Sequence, residues 1–219
     1  MSDMELLIWA RGVGFQGALA VFIFGMVLRA FEIFSLGRKA DLSVARTDSP
    51  GSGWRTVLTR SLPQPSVYRR APATHVLGYV FHFGLLVTVA FFTPHIQLVR
   101  NTLGLSWPGL PTPLIDAVAL ITLATLLLVL ANRLLDPVKR FLSDFEDYFT
   151  LALAFMPLLS GYLAFHHQVL PYTLMLALHI LSVELLLVFM PFTKLTHFAT
   201  LFVARWYNGD IAGRKGVAS

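Results

Sequence analysis

Two imidazoles bracket the segment HILSVELLLVFMPFTKLTH, His179 at its start and His197 at its end. On a continuous helix eighteen residues make five turns, so both rings would leave one face, ~27 Å apart along the axis. That separation is close to the thickness of a bilayer's hydrocarbon core, ~30 Å. YVFHFGLLV followed by TPH supplies His82 and His95, SGYLAFHH supplies His166 and His167, and His75 stands seven residues before His82. The chain contains no cysteine. Disulfides, cysteine-held iron–sulfur clusters, thiolate zinc and CxxCH haem attachment are therefore excluded, and any metal here takes histidine or oxygen ligands.

The elements that must carry these rings are membrane spans. Of 219 residues, 56% are hydrophobic and 13% charged, with a mean hydropathy of +0.67; soluble domains are about a quarter charged. Lipid cannot satisfy backbone amides, so crossing it takes about 20 apolar residues in a helix. Five such stretches occur, at about 7–34, 75–94, 113–134, 146–166 and 172–196. The expectation is an all-α five-transmembrane-helix bundle forming a single domain over 1–219. The first stretch lacks a basic leader and a small-residue cleavage site, so it is expected to be a retained span. The polar connection at about 36–74 is rich in Gly, Pro and Ser and predicts a surface loop suited to docking.

Lys and Arg mark the cytoplasmic side. Arg38, Lys39, Arg46, Arg55, Arg60, Arg69 and Arg70 lie in the first connection, Arg133, Lys139 and Arg140 in the third, and Lys194, Arg205, Arg214 and Lys215 near the C-terminus. The second connection has only Arg100, and the fourth, HHQVLPY, has none. This alternation places the N-terminus outside and the C-terminus in the cytoplasm. It also accounts for the net charge of +5 without a nucleic-acid partner; the chain's surroundings are membrane lipid.

With that orientation, His82 and His197 fall near the inner side, and His95 and His179 near the outer side. Imidazoles on facing helices, with neither cysteines nor clustered carboxylates, suit a bis-histidine b-type haem at each level. Arg29 and Lys194 are candidate partners for haem propionates, with snorkelling to headgroups as the alternative. Gly78 and Gly84 are small enough to let a flat macrocycle approach. Glu184 is the acidic side chain deep in the fifth span, suited to proton transfer or to an interhelical hydrogen bond. Asp116 and Arg100 are expected to be solvated, Ser160–Gly161 and Pro157 to form a closely packed kink, and the acids of DFEDYF to favour a helix N-terminus.

YVFHFGLLV, TPH, DYF at 147–149, SGYLAFHH and LHILSVELLLVFMPFTKLTH together resemble the gamma subunit of respiratory nitrate reductases. They resemble still more the gamma-like cytochrome b proteins of heterodisulfide reductase and Dsr-type membrane complexes. The resemblance covers the second, fourth and fifth spans; its most specific element is the terminal PF(T/S)(K/R)LxH, followed by FHxG. It implies a five-helix cytochrome b carrying two haems and exchanging electrons with the quinone pool. It implies His82 and His197 as ligands of the inner haem and His179 as a ligand of the outer one. The family's second outer ligand lies ten residues beyond the FHxG histidine, where this chain has Phe92. His95, His166 and His167 are the candidate replacements, and a five-coordinate or absent outer haem is the remaining alternative. His95 has the right height but lies about 220° around a regular helix from His82, unless Pro94 bends the chain before it.

The resulting expectation is a di-haem b-type electron-transfer subunit of an oxidoreductase in a bacterial or archaeal cytoplasmic membrane. It would react with quinone and pass electrons to or from a cytoplasmic iron–sulfur or molybdoenzyme-type subunit docked on the basic loop. The competing expectations are a proton-conducting or transporter-type protein and a cofactor-free membrane anchor. No phosphate-binding loop, nucleophile elbow or HExxH motif is present.

Overall fold

The computed structural model describes residues 1–35, 43–46 and 52–217. It is all-α, with no strand among the described residues. Five helices are long and apolar enough to cross a membrane: α1 Asp3–Ser35, α4 Pro72–Phe91, α6 Thr112–Leu135, α8 Phe145–Phe165, and α9, whose apolar run extends through Tyr172–Phe192. Short helices α2 Gly53–Thr59 and α3 Pro65–Arg70 precede α4, α5 Thr93–Leu103 follows it, α7 Pro137–Leu142 lies between α6 and α8, and α10 His197–Arg214 ends the chain. The protein is a multi-pass membrane protein. Its outward surface agrees: Phe83, Phe24 and Leu86 are 73%, 66% and 66% exposed, a costly arrangement in water but not in lipid.

The described residues form two compact units, one of residues 1–19 and 72–188, the other of 20–71 and 189–219. In the first, Leu123, Leu126 and Leu158 form a core against Phe81, Leu85, Phe155 and Tyr162, so α6 packs between α4 and α8. Gly84 is buried where α4 meets the Thr122 side chain, which gives it a helix-packing role distinct from the haem contact expected of it. Local chemistry sets the helix starts. Ser2 and Glu5 form a reciprocal capping box at α1, as do Asp144 and Asp147 at α8, each satisfying amides that a helix N-terminus leaves unpaired. Arg133 on α6 reaches Asp147 at 3.4 Å and Ser143 at 2.8 Å, tying the α6–α8 connection together.

In the second unit, α2 lies on α10: Gly53 faces the Trp206 side chain and Gly209 faces Thr56. Ser52 Oγ donates to the Gly209 carbonyl at 3.0 Å and Arg205 donates to Ser61 Oγ at 3.1 Å. The stretch expected to be a surface loop at about 36–74 is thus helical over α2 and α3, because Val57 and Thr56 bury one face of a short amphipathic turn. Arg38 and Lys39 of that stretch lie outside the described residues.

His179 and His197 do not share one helix, contrary to the expectation from their spacing. The helix from Tyr172 ends at Phe189, two 3₁₀ turns follow at Met190–Phe192 and Lys194–Thr196, and His197 begins α10. Pro191 has no amide to donate, and its ring crowds the carbonyl four residues back. Thr193 then turns extended, at φ −125° and ψ 177°, and its side chain accepts from Leu195. Eighteen residues are therefore not five turns of a single rod here.

Candidate functional site

The site begins with an interruption in the second span. The helix stops at Phe91, Phe92 is extended (φ −76°, ψ 123°), and α5 restarts at Thr93 with Pro94 in its first turn. A helix end leaves its last carbonyls without intrahelical partners. Three of them are taken up by groups further along the chain. Val89 O receives the His95 Nδ1–H at 3.2 Å, Ala90 O receives the Trp107 indole at 2.7 Å, and Phe91 O receives the Leu110 amide at 3.1 Å. His95 is therefore both a capping side chain and a residue re-aimed by the break, which removes the unfavourable phase it would have on a regular helix.

His179, on α9, faces it. The two rings are 6.3 Å apart between centroids with planes 17° apart. Two imidazoles bound to one metal from opposite sides, with bonds of about 2 Å and roughly 1 Å from nitrogen to ring centre, would also stand about 6 Å apart. His179 Nδ1 lies 3.1 Å from Pro157 O and 3.3 Å from Ser160 Oγ. A carbonyl only accepts, so Nδ1 carries the proton in both rings and Nε2 keeps the lone pair of the neutral tautomer. Holding Nδ1 on a carbonyl is how ligating histidines are oriented. His95 lies beyond the end of the α4 span, and burial lowers its pKa below the ordinary 6.5 against the opposing pull of the Val89 and Thr88 carbonyls.

Three neighbours fix the pair. Ser160 Oγ is 3.0 Å from Ser182 Oγ, and Ser182 donates to the His179 carbonyl at 2.6 Å. Phe92 stands edge-on to His95, centroids 5.2 Å apart, and edge-on to Phe165 at 4.9 Å, so it forms a wall of the site. A Cβ at Gly161 would come within 2.9 Å of His179 Cε1, so glycine makes room for the ring. The pair Ser160–Gly161, expected only as a packed kink, supports the candidate ligand directly. No sequence motif marks that role; the only signal was two small residues one turn beyond Pro157 in an apolar span.

The other candidate outer ligands point elsewhere. His166 Nε2 lies 3.2 Å from Asp116 Oδ1, which gives Asp116 a partner in place of simple solvation, and the His167 ring packs on Tyr172 with centroids 4.6 Å apart. Among the described residues no three His, Asp or Glu side chains converge on one point. A metal held between His95 and His179 would draw two ligands from the described chain, an arrangement that would suit a porphyrin, with four nitrogens of its own, better than tetrahedral zinc.

The inner candidates sit in separate units and share the same device. His82 Nδ1 is 2.7 Å from Gly78 O, and the His197 Nδ1 is 2.8 Å from Lys194 O. Gly78 has open space where a Cβ would stand. Arg29 is engaged: its Nε donates to Pro191 O at 2.9 Å and its guanidinium pairs with Glu32 at 2.9 Å. Lys194 contributes its carbonyl to His197, and its own side chain is exposed.

The chain is 31% identical to a protein of Nitratidesulfovibrio vulgaris (strain Hildenborough) over 153 residues, 69% of this chain and 67% of that protein. It belongs to that protein's family. No family model matches the chain, and no solved structure matches it.

Proposed function

We propose that the protein is a di-haem b-type membrane cytochrome, a subunit relaying electrons between the quinone pool and a cytoplasmic redox partner. The observation that carries this reading is the His95–His179 pair: two neutral imidazoles, each held through Nδ1 by a carbonyl, at the separation of two ligands on one metal. His82 and His197 each carry the same Nδ1 arrangement, and the resemblance to gamma subunits implies them as ligands of the inner haem. The haem supplies one-electron redox chemistry; the chain fixes its ligands, excludes water and sets the local polarity. The Lys and Arg distribution supports an N-terminus outside and a C-terminus in the cytoplasm of a bacterial or archaeal membrane. The basic residues of the 36–74 stretch and α10 are assigned to docking an iron–sulfur or molybdoenzyme-type subunit.

The test is an optical spectrum of the purified protein with and without dithionite. Paired α and β bands, with a b-type pyridine haemochrome near two haems per chain, are expected. His179→Ala and His82→Ala should each remove about half of that signal, from different haems. A colourless protein from porphyrin-replete cells refutes the reading and leaves the transporter and anchor alternatives.

A further inference from the structure

Glu184 is 7% exposed, and its Oε1 is buried with no hydrogen-bond partner. A carboxyl in this position is costly unless something donates to it. It faces a break in α1: residues Ala10–Gly14 form a π-helical turn, a distortion that often marks functional sites. A Cβ at Gly14 would stand 3.1 Å from both Glu184 oxygens and 2.9 Å from the Trp9 ring. Beside this contact runs an open groove of about 520 Å³ whose walls include Trp9, Val13, Gly17, Leu181 and Leu185. Its volume is that of a small-molecule site. A partner helix, about 10 Å across, would need a longer furrow.

We propose that this groove binds the head of a lipid-soluble hydroquinone, with Glu184 accepting a hydrogen bond from its hydroxyl and the Trp9 indole lying against its ring. The unpaired Glu184 oxygen asks for one donor on an otherwise apolar molecule. A phospholipid tail brings no donor, and a phosphodiester offers only acceptors. Glu184 lies five residues from His179 on α9, ~7.5 Å along the axis, which brings a hydroquinone near the outer imidazole pair. The inference rests on the quinone-linked reading proposed for the protein and gives that chemistry a site.

The test uses the full chain in phosphatidylcholine nanodiscs with a diazirine-bearing decyl-naphthohydroquinone kept reduced. Adducts are expected on peptides containing Trp9–Ala18 and Leu181–Val188, and excess unlabelled hydroquinone should compete them away. Gly17 lines the groove, and a Cβ placed there would meet nothing within 4 Å, so Gly17→Leu should fill the groove without disturbing the fold and abolish the adducts. Glu184→Leu should weaken competition by about tenfold, the worth of one hydrogen bond; Glu184→Gln keeps an acceptor and should retain most of it. Adducts that survive competition, map elsewhere or persist in Gly17→Leu overturn the proposal. The absorption spectrum of the same samples separates the two readings. A coloured protein without competed adducts sinks only this site, and a colourless one with them sinks only the haem assignment.

Discussion

Replacing Gly161 by alanine tests the outer site without touching a proposed ligand. The added Cβ would stand 2.9 Å from His179 Cε1, 3.1 Å from Nδ1 and 3.5 Å from Nε2. Carbon atoms are comfortable at about 3.5 Å or more, so the ring must retreat by roughly 0.6 Å or swing about its Cβ–Cγ bond. The Nδ1 contact to Pro157 O is already 3.1 Å, and such a shift breaks its alignment, costing about 1 kcal/mol. Loss of an orienting contact of this kind typically lowers metal affinity about 10–100-fold. The helix itself should tolerate the change, since alanine is favoured over glycine in a helix interior by about 0.5–1 kcal/mol. The expected result is a folded protein whose pyridine haemochrome falls toward one haem per chain, with the remaining spectrum that of the His82 haem. Gly12→Ala, where a Cβ also meets nothing within 4 Å, is the matched control and should keep both. Two fully occupied haems with unchanged spectra in Gly161→Ala would refute the assignment of His179 as a tightly held ligand.

His95→Ala should remove the same haem signal as His179→Ala, whereas His166→Ala and His167→Ala should leave it; loss of the signal in His166→Ala alone would move the second ligand to α8. Because burial lowers the His95 pKa in the fold, the unfolded chain binds the extra proton first as pH falls below about 6.5, and stability declines from there. Thermal melts at pH 7.5 and 5.5 should show this decline, and His95→Gln should make it shallower; an unchanged slope would count against a buried neutral ring. Trp107→Phe removes the indole donor from Ala90 O and should destabilise the protein by about 0.5–1.5 kcal/mol, read as a lower melting temperature. Gly209→Val drives a side chain into Thr56 and should loosen α2 from α10, seen as faster backbone hydrogen exchange over Gly53–Thr59.

The five spans were legible because their signal is additive: about twenty apolar residues cross lipid whatever packs beside them. The helix starts were legible for a related reason, since the acids of DFEDYF act within one turn of themselves and form the Asp144–Asp147 capping box. Helical phase was not legible. A projection assumes an unbroken helix, and this chain ends two of its helices near histidines, at Phe91 before Phe92–Pro94 and at Phe189 before Pro191–Thr193. Pro94 hinted at a break and Pro191 was read through as continuous helix, and the consequence of each depends on distant partners. Trp107 and Leu110 donate to the freed carbonyls of α4, and nothing in the spacing of TPH announces them. The same non-locality hid Ser160 and Gly161, nineteen and eighteen residues from His179 in sequence and in contact with its ring. Ending α4 at Phe91 leaves its last carbonyls without helical partners, and one of those carbonyls then orients the ring that the break has re-aimed. The interruption that spoils the regular phase of His95 is thus also what fixes its tautomer, so position and chemistry at this site have a single cause.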